Sequence, residues 1–100
     1  MFGSSVSSND IVAKTEKHLV ACFGATESEI FEKITASSGS VLKQDCEIML
    51  KELKQWSNEH DLGMWKRSAI IGAIEMHIIN WLPKDVCKDY MRLTRSVINQ

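Results

Sequence analysis

This chain predicts an all-α fold, a compact bundle of four to five short helices around a central hydrophobic helix at about residues 63–82. Three observations lead there. Apolar residues recur at helical spacing in several stretches, and no strand-like alternation of useful length competes with them. One proline and five glycines in 100 residues leave too few turn formers for an all-β chain. The longest apolar run, Met64 to Leu82, stops at that one proline, Pro83.

The elements follow in order. Residues 1–8 are Ser-rich and uncharged and read as a disordered tail, leaving 9–100 as a single helical domain. A first helix is expected to start near Ser8–Asp10, good capping residues, and to run to about Phe23. Val12, Leu19, Cys22 and Phe23 form its apolar face and Gly24 its stop. Thr26-Glu27-Ser28-Glu29 matches a capping box and opens a short second helix with Ile30, Phe31 and Ile34 as core residues. Ser37-Ser38-Gly39-Ser40 reads as a linker.

The third helix, about Val41 to Ser57, carries Leu42, Cys46, Met49, Leu53 and Trp56 at spacings of 4, 3, 4 and 3, with Leu50 widening the seam. Lys43, Glu47 and Lys51 make i,i+4 pairs on its outer face. Asn58 to Gly63 turns the chain, with Asp61 as the expected cap of the fourth helix.

That fourth helix has two apolar arcs. Ile70, Ile71, Ile74, Ile78, Trp81 and Leu82 form one; Trp65, Ala69, Gly72, Met76 and Ile79 form the other. A helix apolar on most sides packs on two sides. Helices three and five are expected to cover the isoleucine arc. The second arc is left to the first two helices or to a partner, with Ala69, Gly72 and Ala73 allowing a close helix approach. Ser68 and Glu75 lie between the arcs and read as a narrow buried polar seam, with Glu75 paired to a cation of the fifth helix. Glu75, His77 and Asn80 interrupt the run, so no membrane span is expected. Pro83 ends the helix and suits the start of a fifth, which runs to about Ile98. Val86, Tyr90, Leu93 and Val97 interleave with Cys87, Met91, Thr94 and Ile98 into its apolar face.

Net charge is −1, but residues 1–60 carry 6 basic against 9 acidic side chains and residues 61–100 carry 6 against 4. Lys84, Lys88, Arg92 and Arg95 make a basic row on the fifth helix, a candidate face for an anionic ligand, diluted by Asp85 and Asp89. The helix-turn-helix reading of helices three and four fails because its recognition helix is mostly isoleucine.

Chemistry-bearing motifs are sparse. His18 and Cys22 stand at i,i+4, yet a structural zinc needs two more ligands from Cys46, His60, His77 and Cys87, and neither CxxC nor HExxH occurs. His60-Asp61 beside Ser57 lacks a GxSxG elbow, and the serine-rich stretches lack the lysine of a phosphate loop. No metal, no cofactor and no enzymatic activity are therefore expected. Leu62-Gly63-Met64-Trp65 is not the Trp-x-Gly turn of small secreted helical hairpins, and no Asp-Ser-Leu attachment site of acyl carrier proteins is present. Three widely spaced cysteines point to a reducing, cytoplasmic setting.

The expectation is a small interaction module (adaptor, inhibitor or chaperone-like regulator) acting on another protein or a second copy through Trp65, Ala69, Gly72, Met76 and Ile79. Trp56, Trp65, Trp81 and five methionines support it, both types being enriched at interfaces. The alternative is a nucleic-acid-binding regulator using the basic row. A lesser one is a secreted effector addressed by the serine-rich tail.

Overall fold

In a computed structural model, residues 6–36, 40–80 and 82–100 are described, and they form five α-helices. The first, α1 (Ser8–Phe23), is opened by Ser7. Its hydroxyl accepts from the Asp10 amide at 3.1 Å, and the Asp10 carboxylate accepts from the Ser7 amide at 3.1 Å. These bonds hold the Asp10 carboxyl below its ordinary value. Val6 packs partly buried against the core. Val6 to Ser8 therefore belong to the folded unit and not to a tail; residues 1–5 of that expected tail lie outside the described residues.

Gly24 closes α1 at φ +102°, where a Cβ would stand 2.6 Å from the Glu29 Cβ, so glycine is required. The capping box of α2 (Glu27–Ala36) forms, with one shift. The Thr26 hydroxyl accepts the Glu29 amide at 3.3 Å, while the Glu29 carboxylate reaches back to the Ala25 amide at 2.8 Å. Ile30 is buried and Lys33 Nζ donates to the Cys22 carbonyl at 2.8 Å. Phe31, expected in the core, is 66% exposed, because α2 has α1 as its main neighbour and buries one side only. The side chain of Ile34 and residues 37–39 of the expected linker lie outside the described residues; Ser40 already belongs to α3.

Helix α3 (Ser40–Glu59) buries Leu42, Cys46, Met49, Leu50 and Leu53, as its spacing predicts. Trp56 is half-buried, between Lys14 and His60. Glu47 and Lys51 pair at 3.5 Å on the outer face. The helix ends in a Schellman turn. The Leu62 amide donates to the Ser57 carbonyl at 2.9 Å and the Asp61 amide to the Asn58 carbonyl at 3.2 Å. Asp61 takes the left-handed position at φ 51°. It thus terminates α3 and does not cap α4; that place falls to Gly63, which offers no side chain.

Helix α4 (Met64–Ile79) is shorter than expected, but its last turn is continued by the Leu82 amide donating to the Ile78 carbonyl at 2.9 Å, with Leu82 buried. Pro83 sits just before α5 (Lys84–Ile98), which buries Tyr90, Met91, Thr94, Val97 and Ile98. Lys54 of α3 donates to the Ile98 carbonyl at 3.0 Å and to that of Gln100, tying down the end of α5.

The packing is a ring. α1 packs on α4 and α3, and α5 packs on α3 and α4, whereas the consecutive helices α3 and α4 scarcely touch. The isoleucine arc is therefore covered by α1 and α5, not by helices three and five. α3 spans roughly 30 Å at the usual rise.

Candidate interaction surface

Helix α4 buries Ile70, Ile74 and Ile78, a stripe at spacing four pressed between α1 and α5. The opposite side looks outward. Trp65 is 89% exposed, Met76 67% and Ile79 53%, and Met64 at the start of the helix is exposed as well. Ala69 is half-buried, and with Ala73 it lines a shallow groove against Val12 and Glu16 of α1. Gly72 is exposed, and a Cβ added there would meet nothing within 4 Å. The close helix approach expected at Gly72 is thus absent within the chain. Helix α1 reaches one flank of the second arc, α2 does not cover it, and most of it stays open.

The expected seam is not buried. Ser68 is exposed and its hydroxyl donates to the Met64 carbonyl at 3.0 Å. Glu75 keeps 43% of its side chain exposed and stands 3.9 Å from Arg95 Nη2. The seam stays wet because the arc beside it has no cover. The pairing of Glu75 with a cation of the fifth helix is as the sequence predicts.

Arg95 leads to the second feature. Lys84, Lys88, Arg92 and Arg95 all line one groove of about 600 Å3 between α4 and α5. Its floor is apolar, with Leu82 and Met91 buried, Cys87 half-buried and Ile79 at the rim. Neither Asp85 nor Asp89 lines it. The folded chain separates cations that the sequence shows interleaved with acids. The two basic residues at the start of α4 are engaged elsewhere, Lys66 with the Val6 carbonyl at 2.9 Å and Arg67 with Asn58 at 2.7 Å.

The other constellations do not assemble. Ser57 is buried and donates to the Lys54 carbonyl at 2.7 Å, while His60 Nδ1 meets the Trp56 carbonyl at 3.0 Å. His18 lies 3.7 Å from Glu52. Cys22, Cys46 and Cys87 are free thiols. Cys22 and Cys46 share a hydrogen bond, which together with burial pushes the Cys46 thiol up. Among the described residues no group of three or more His, Cys, Asp or Glu is placed to hold a metal ion, and no helix is long and apolar enough to cross a membrane.

Among the described residues, fold and surface together define a small helical bundle with an exposed apolar face on α4 and a basic groove beside it. No protein-family model matches the chain, and no curated protein or solved structure matches it either.

Proposed function

We propose that this chain is a small protein-interaction module that docks another protein, or a second copy of itself, on the outward stripe of α4. The observation that carries the reading is Trp65, 89% exposed in line with Met76 and Ile79 on the side opposite the buried isoleucines. A tryptophan covers 150–250 Å2, so Trp65 alone shows roughly 200 Å2 of ring surface. With the two methionines and Ile79 the patch reaches several hundred Å2, on the order of the largest patches that monomers tolerate. Exposed tryptophans of this kind form the anchors of interfaces.

The test places a photo-crosslinking phenylalanine analogue at position 65, with Gln44 on the exposed side of α3 replaced as the control. The expected result is a discrete adduct from position 65 alone, with a second copy or with a protein identified by mass. A monomer by sedimentation across the accessible concentration range, with equal and diffuse labelling from both positions, counts decisively against the reading.

A second reading, a nucleic-acid-binding regulator, is favoured by the gathering of Lys84, Lys88, Arg92 and Arg95 at one groove. It requires salt-sensitive binding to duplex or single-stranded oligomers, with a slope set by the number of phosphates neutralised.

A further inference from the structure

We propose that the groove between α4 and α5 binds an acidic amphipathic helix of a partner protein. The proposal rests on the interaction-module reading and names the chemistry of the partner at the Ile79 end of the stripe. Four cations line this groove against one carboxylate, Glu75, which is already engaged with Arg95. The wall is therefore strongly positive although the whole chain carries a net charge of −1. The floor between the cations is made by Leu82, Met91 and Cys87, so the occupant needs an apolar strip flanked by acids.

Length decides among occupants. The row from Lys84 to Arg95 covers roughly 16 Å of α5, about three helical turns. Carboxylates repeating every third or fourth residue of a helix match its spacing along that whole length. A single small carboxylate would engage one or two of the cations and leave the others unmatched. A phosphate backbone would match the cations, but it gains nothing from an apolar floor. Helix-in-groove docking uses both features at once, with charge setting register and the floor setting affinity.

The groove carries its own reporter. Cys87 is half-buried in the groove, whereas Cys22 and Cys46 are buried, so Cys87 is the most exposed of the three thiols, and peptide mapping separates its modification from theirs. The probe is a labelled synthetic peptide of about 18 residues, long enough to hold a helix, with leucines on one face and glutamates along its edge. The same peptide with glutamine for glutamate is the control, alongside phosphatidylserine-containing vesicles and a DNA duplex. Binding is read by fluorescence anisotropy and by the rate at which N-ethylmaleimide modifies Cys87 in the full chain.

The glutamate peptide is expected to bind saturably, to lose affinity with added salt and to slow Cys87 alkylation. The glutamine peptide is expected to bind about tenfold more weakly, as is the glutamate peptide to folded Lys88→Glu or Arg92→Glu protein. Lys43→Glu on the outer face of α3 leaves binding unchanged. Equal binding of the two peptides, or binding without protection of Cys87, overturns the proposal. So does protection by vesicles or duplex in the absence of protection by the peptide. Failure here with the position-65 adduct intact removes the acidic helix alone; loss of both removes the interaction reading itself.

Discussion

Replacing Gly72 by alanine tests whether α4 is open on its outward side. Gly72 lies in the middle of the helix, and its backbone is not in the left-handed region that favours glycine. An added Cβ would meet nothing within 4 Å. No steric term therefore opposes the change, and helix propensity favours it. Alanine in a helix interior is better than glycine by about 0.8–1.0 kcal/mol, and part of that gain comes from a less free unfolded chain. The expected gain is about 0.9 kcal/mol. With an unfolding entropy of about 2.1 cal/mol/K per residue, a chain of this length should melt roughly 4 °C higher. Urea unfolding followed by far-ultraviolet circular dichroism at low protein concentration measures the change, with the m value unchanged. A loss of stability at low concentration would falsify the one-sided picture of α4, since it requires a neighbour against Gly72. Repeating the measurement at high concentration adds a second reading, because a copy docked on this face shrinks or reverses the gain.

Three further outcomes follow from the same structure. Ile74→Ala, at a fully buried position, should cost about 3 kcal/mol in urea unfolding, within the range of about 2–5 for such truncations, while Met76→Ala two positions along should stay within about 0.5. Equal costs at the two sites would mean that α4 is buried on both sides. Asp61→Gly should stabilise by roughly 0.5–1 kcal/mol, because the residue terminating α3 has φ 51°, where glycine meets no penalty; a loss would point to a role for the aspartate side chain. His77 is held below the ordinary histidine value near 6.5 by burial, partly opposed by the charge of Glu16 on α1. The unfolded chain thus takes up this proton first, so the contribution to stability is whole above about pH 6.5 and is lost as pH falls through the lowered folded value. His77→Gln should flatten that part of the stability curve, and an unchanged slope would show that other groups set it.

The helices themselves were legible because their signals are local. Thr26-Glu29, the 4, 3, 4, 3 seam of α3 and the start of α5 at Pro83 each depend on residues within a turn or two. Burial of Thr15 was less legible. A mid-helix threonine reads as polar, yet its hydroxyl donates to the Ile11 carbonyl at 2.7 Å, and it can then be buried without loss. Thr94 does the same with Tyr90. The orientation of α4 was legible in part. The isoleucine arc is the buried one and the Trp65 arc the open one, as expected, but the helices that cover the isoleucines are α1 and α5 and not α3 and α5, because the turn at Asp61 keeps α4 from packing along α3. The seam of Ser68 and Glu75 was misread for that reason, since its burial depended on a cover that the turn does not supply. The basic row was legible as residues but not as a groove, because only the tertiary placement of Asp85 and Asp89 outside it separates the charges.

The ring of contacts also governs how the chain can assemble. Because α3 and α4 are neighbours along the chain but not in space, no helical hairpin forms early from that pair. Helix α1, from one side of the chain, and α5, from the other, hold α4 in place beyond the elbow at Asp61. Burial of Ile70, Ile74 and Ile78 therefore draws on segments from both halves of the chain. A chain of this build should fold more slowly than an up-and-down bundle of the same size, and removal of α5 should open the elbow rather than merely shorten the protein.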